Sequence, residues 1–99
     1  MSLPVRFLPE AREEFDQATD WYAACGTALG LDFVARVRDV IRRLAANPKM
    51  HAVVHGDVRK AVVSRFPYVV LYREDAGELI VVSVFHTSRD PADWQGRVE

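Results

Sequence analysis

Residues 59–89, RKAVVSRFPYVVLYREDAGELIVVSVFHTSR, constrain the fold of this chain more than any other stretch. Two runs, Tyr68–Arg73 and Glu78–His86, are dense in valine and aromatic residues and flank the polar segment Glu74-Asp75-Ala76-Gly77. Runs of this composition bounded by turn residues read as strands, and so short a connection makes them an antiparallel hairpin. A hairpin alone is marginal in water, so the rest of the chain has to cover its apolar faces. A four-residue turn sets Arg73 opposite Glu78. Tyr72 then pairs with Leu79, Val70 with Val81, Val69 with Val82 and Arg65 with His86. On this register Arg65 and His86 lie side by side on one face, at the end away from the turn, and a slip of two residues keeps the faces unchanged.

The upstream half reads as the cover. Val5-Arg6-Phe7-Leu8 predicts a short strand, and Pro9 opens a helix, where its fixed φ and missing N–H do no harm. Ala11, Phe15, Ala18, Tyr22 and Cys25 recur at helical spacing and make one apolar stripe, ended by Gly26. Glu10, Glu13, Glu14 and Asp16 are read as charge favoured near the helix N-terminus. A second helix is predicted from about Ala28 to Ala46, with Phe33, Val37, Ile41 and Leu44 as its stripe, until Asn47-Pro48 stops it. The short link at Gly26-Thr27 makes the helices an antiparallel pair. Ala52–Val54 and Val58–Ser64 add two more strands. Asp90-Pro91-Ala92-Asp93 signals a short C-terminal helical turn containing Trp94. The expected architecture is α+β: an N-terminal strand, then an antiparallel helical hairpin packed on an antiparallel β-meander, as a single domain over residues 1–99.

Charge limits the partners. Residues 1–50 carry 7 basic and 7 acidic groups and residues 51–99 carry 6 and 7, for a net charge of −1. A dedicated nucleic-acid binder draws most of its affinity from phosphate contacts and shows a basic excess, which is missing here. The single cysteine, Cys25, excludes an internal disulfide and a cysteine-based metal site. His51 and His55 have no cysteine near them and no HxxxH helix, so no metal or other cofactor is expected. No secretory signal is visible, and the apolar runs are too short to span a membrane, so the expected location is the cytoplasm. Glycine-rich nucleotide loops and the GxSxG nucleophile pattern do not occur.

The residues with chemical potential gather at the polar end of the sheet. His86 reads either as a structural histidine on an apolar face or as a group able to move a proton near neutral pH. Arg65 and Arg89 beside it could hold a phosphate and stabilise developing charge. Together the three would suit metal-independent RNA cleavage through the 2′-hydroxyl. Arg59 falls on the face of Arg65 by alternation, whereas Lys60 points the other way. Trp94 is either a lid over one end of the sheet or an aromatic that meets a partner. Arg59, Tyr72 and Trp94 are the candidates for contact with a partner or target.

Taken in order, several segments resemble the RelE/ParE superfamily of small toxins from bacterial type II toxin–antitoxin systems. They are Pro9-Glu10-Ala11, Trp21-Tyr22, Gly30-Leu31-Asp32-Phe33, Asn47-Pro48, Arg65-Phe66-Pro67-Tyr68, Leu71-Tyr72-Arg73 and His86 to Trp94. The resemblance implies the same strand, helical hairpin and meander. It also implies a cognate antitoxin that lays an extended or helical segment over grooves and sheet. RelE-like members are ribosome-dependent mRNA endonucleases; on that reading Arg65 matches their central arginine, and His86 and Arg89 lie in their C-terminal catalytic region. ParE-like members inhibit DNA gyrase and lack the nuclease residues. No tyrosine follows Tyr72 and the chain is not basic, so the ParE-like, plasmid-stabilisation branch is the expected one. A protein that retains only antitoxin binding is a third possibility.

Overall fold

The computed structural model describes residues 2–98. Strand β1 (Val5–Phe7) is followed by helices α1 (Pro9–Cys25) and α2 (Thr27–Ala46). Then come β2 (Val53–His55), β3 (Val58–Val62), β4 (Tyr68–Asp75) and β5 (Glu78–His86). Helix α3 (Ala92–Gln95) and a 3-10 turn, Gly96–Val98, complete the described chain. The sheet order is β1-β5-β4-β3-β2, with β1 parallel to β5 and the remaining pairs antiparallel. The expected architecture is therefore present. Among the described residues, no helix is long and apolar enough to cross a membrane.

The stripe of α1 buries Ala11, Phe15 and Ala18, whereas Tyr22 is half-buried and Cys25 is exposed. The predicted stripe thus ends one turn early, because α1 turns away into α2 at Gly26. The helices touch closely near that corner: a Cβ on Gly30 would sit 2.8 Å from the Cβ of Ala23 and 2.9 Å from its Cα. α2 buries Phe33, Val37, Val40, Ile41 and Leu44 against the same face of the sheet. Phe33 is the hub. Its ring lies 5.0 Å from Tyr22, 5.1 Å from Phe66 and 5.1 Å from Tyr68, the last two edge-on. Such pairs add roughly 0.5–1.5 kcal/mol each beyond burial. On the opposite face Val58, Val69, Leu71, Val82 and Phe85 form a second cluster closed by Trp94. Both sheet faces are covered at the centre, which explains the continuous apolar runs Val69–Tyr72 of β4 and Leu79–Val82 of β5.

The hairpin register differs from the expected one. Asp75 pairs with Glu78 across a two-residue turn, Ala76-Gly77, with φ of 50° and 77°. Positive φ at both positions is what a type I′ connection requires, and it matches the strand twist. Tyr72 then pairs with Val81, but the next pair is Leu71 with Ser83, so Val82 is an extra residue in β5. This bulge reverses the alternation. Leu79, Val81 and Val84 face the helices, and Val82 and Phe85 face away. His86 pairs with Tyr68 instead of Arg65.

Two stability outcomes follow. Gly30→Ala should destabilise by about 1–3 kcal/mol in urea unfolding, because the new methyl meets backbone and the helices must part. An alanine here gains helix propensity, so a more stable variant would contradict the close approach. Ala76→Gly should stabilise by about 1 kcal/mol by relieving a left-handed alanine. Loss of stability at that position would contradict the two-residue turn.

Candidate functional site

The polar end of the sheet is built by the last residues of β5, the start of β4 and the first half of α1. His86 closes β5, with its ring edge-on to Tyr68 at 5.0 Å. Its Nδ1 accepts the Ser88 backbone N–H at 3.0 Å and lies 2.8 Å from Ser88 Oγ. An Nδ1 that accepts from a backbone donor leaves the proton of the neutral ring on Nε2. Burial, followed by the neighbouring Tyr22, pushes the Tyr68 phenol up, so it is a neutral hydroxyl at pH 7. Pro67 precedes Tyr68 and leaves Arg65 outside the ladder, exposed at the tip of the β3–β4 connection with φ of 73°. The expected Arg65–His86 pair is not formed: the bulge and the start of β4 at Tyr68 place tyrosine where arginine was expected.

Arg89 does come to this end. Its guanidinium lies 4.9 Å from the centre of the Phe85 ring. It donates to Glu14 at 2.8 Å and to Asp93 at 3.3 Å. Glu14 is the centre of the network, and sequence reading treated it only as helix-terminus charge. It lies three residues after Ala11 and four before Ala18, on the flank of the buried stripe. Its side chain is 12% exposed and that of Arg97 is 13% exposed. Arg97 donates two parallel bonds to the carboxylate, at 2.8 and 3.0 Å, and a third to the Val82 carbonyl at 3.1 Å. Ser83 Oγ adds a fourth donor to the group at 2.9 Å. Burial works to raise the Glu14 carboxyl, but the hydrogen bonds and charge of Arg97, with Ser83 and Arg89, outweigh it and hold the group below the ordinary carboxylate range. The bond to Glu14 likewise raises Arg97.

These groups border a cleft of about 530 Å³, whose walls include Glu10, Glu13, Gln17, Tyr68, His86 and Arg89. Its chemistry is not that of a phosphate site. Both arginines on it are bonded to Glu14, and Glu10 and Glu13 add negative charge. A nuclease site needs cations free to meet the phosphate.

The partner-contact candidates are placed as follows. Tyr72 is fully buried, and its hydroxyl donates to the Pro48 carbonyl at 2.9 Å. Trp94 is 4% exposed, packed in the outer-face cluster and edge-on to His55 at 5.6 Å. Tyr72 presents no surface to a partner in this arrangement, and Trp94 offers only the small part of its ring that lines a groove on the outer face. Arg59 is half-buried and donates to the His51 carbonyl at 2.5 Å, which ties the segment before β2 to β3. α3 begins one residue later than expected, with Pro91 at the cap position, and Asp90 Oδ1 accepts the Ala92 N–H at 3.0 Å from just outside the helix.

The Glu14 network has a pH signature. A carboxyl lowered on folding contributes stability that is complete above its unfolded value and fades as pH falls through the lower folded value. That window lies below pH 4.5. Glu14→Gln should lose on the order of 3 kcal/mol at pH 7, because it leaves Arg97 buried without its counter-charge. The gap between wild type and variant in thermal melting should narrow as pH falls below 4.5. An unchanged gap down to pH 2 or so would contradict the ionised carboxylate as the cause.

The chain was compared with known proteins. A family model described as ParE toxin of type II toxin-antitoxin system, parDE, matches residues 5–91. No curated protein matches. Among solved structures, a chain from "Chromosomal ParDE TA system from P. aeruginosa" superposes with a TM-score of 0.76 at 16% identity. The match covers 88% of this chain and 98% of that one, and at this identity it speaks for the fold alone. The family match spans β1 to the start of the C-terminal segment and includes His86 and Arg89. This chain belongs to the ParE toxin family of type II toxin–antitoxin systems.

Proposed function

We propose that the chain is the toxin of a parDE-type module, held inactive by a cognate antitoxin, and that it acts by binding DNA gyrase in the cytoplasm. Family membership supports the module, and the target is what the ParE-like resemblance implies. The single observation that favours binding over RNA cleavage is the state of the cations. Arg89 and Arg97 are bonded to Glu14, and Arg65 stands apart from His86. A phosphodiester entering beside His86 would meet glutamates where it needs free positive charge. Arg65 is exposed on its turn, and its side chain has no ion-pair partner among the described residues. It is the better-placed arginine for contact with a target.

The test is expression of wild type, His86→Ala and Arg65→Ala in growing cells, with growth, plasmid supercoiling and transcript integrity followed together. Growth arrest with altered supercoiling and intact transcripts is expected for wild type and for His86→Ala. Arg65→Ala should weaken the arrest. Transcript cleavage by wild type that disappears in His86→Ala would replace this reading with an endoribonuclease acting on ribosome-bound mRNA. Unimpeded growth on wild-type expression would reduce the function to antitoxin binding.

A further inference from the structure

The outer face of the sheet is covered at one end only. Trp94 closes it over Val69, Leu71, Val82 and Phe85. Towards β3 and β2 the cover stops, and Val62 and Val54 remain 68% and 45% exposed. Val62 pairs with Val69 and Lys60 pairs with Leu71, so these side chains adjoin the cluster. Val54, Lys60, Leu71, Phe85 and Trp94 line an open groove of about 320 Å³, with Arg89 on its far rim. The Lys60 ammonium group has no carboxylate partner among the described residues.

We propose that this groove is the docking site for an apolar segment of the antitoxin that carries a carboxylate opposite Lys60. The proposal rests on the toxin–antitoxin reading given above and adds to it the surface and the chemistry of recognition. An apolar partner alone would strip water from Lys60 and leave a charge unpaired, which is costly. A carboxylate brought by the partner removes that cost and fixes the register of the segment. A second copy of the chain fits poorly. A groove-on-groove two-fold contact would bring Lys60 no carboxylate, because the lining of the groove holds none. Nucleic acid is disfavoured by the valines that border the lysine.

The probe is the product of the open reading frame beside this chain's own gene, titrated calorimetrically at low and high salt. Wild type should bind, more weakly in high salt. Lys60→Glu and Val54→Asp should each weaken binding about tenfold or more, the scale of a residue inside an interface core. Arg38→Glu, the same charge change on the exposed side of α2, should leave affinity unchanged. All three positions are exposed, and melting curves like that of wild type would show the fold intact. Wild-type affinity in both groove variants would overturn the docking site while leaving the antitoxin reading standing. Equal loss in Arg38→Glu would also overturn it, by reducing the effect to net charge. Absence of binding by wild type would overturn the antitoxin reading and the groove with it. A wild-type dimer that Val54→Asp dissociates would assign the groove to a second copy and overturn the proposal.

Discussion

The constraint on which this end of the molecule depends is an uncovered strand edge. β5 runs nine residues, but β1 beside it runs three and pairs only with Leu79, Ile80 and Val81. From Val82 onward the edge of a long apolar strand has no neighbouring strand on that side. A buried carbonyl left there without a donor costs about 1–3 kcal/mol. Arg97 supplies the donor to Val82, and its own burial demands a counter-charge, which is Glu14 on α1. For Arg97 to arrive there, the chain after β5 must fold back across the sheet. That return path lays Trp94 over the outer face and brings Arg89 to Glu14. One open edge thus links the first helix, the last strand and the C-terminal turn.

Much of the frame was legible because it depends on local patterns. The helical stripe through Phe33, Val37, Ile41 and Leu44 and the valine-rich runs of β4 and β5 each announce their element and its buried side. The prolines and glycines mark the corners. Strand register was not legible, because it depends on one residue of turn length and one bulge. Alanine disfavours the left-handed conformation that Ala76 adopts, so a longer turn was the natural reading. The bulge at Val82 carries no signature in a run whose only polar interruption is Ser83, yet it moves His86 from Arg65 to Tyr68. Glu14 did carry a signal, a carboxylate on the flank of a buried stripe, which requires a partner. That partner could not be found from spacing, because Ser83, Arg89 and Arg97 lie 69, 75 and 83 residues away.

The same geometry reshapes the functional candidates. Of the three residues grouped as a nuclease site, His86 and Arg89 share a cleft with glutamates, and Arg65 sits apart on a turn. Tyr72 and Trp94 serve the two cores, one through its hydroxyl to Pro48 and the other as a cover. Arg65, Lys60 and Val54 are among the exposed groups without an assigned structural role. The proposed target and antitoxin sites divide along these surfaces. The arginines paired with Glu14 hold the scaffold that presents those surfaces.

The most direct measurement is a double-mutant cycle on the Glu14–Arg97 pair, using Glu14→Gln, Arg97→Met and the combined variant in urea unfolding at pH 7. Glu14→Gln leaves the Arg97 charge without its counter-charge and Arg97→Met leaves the Glu14 carboxylate with only Ser83 and Arg89, whereas the double change removes both charges of the pair. The single variants should therefore lose much more in sum than the double variant, with a coupling of on the order of 2 kcal/mol. Additive losses, with coupling near zero, would contradict the claim that this pair fastens the C-terminal segment to the open edge of β5.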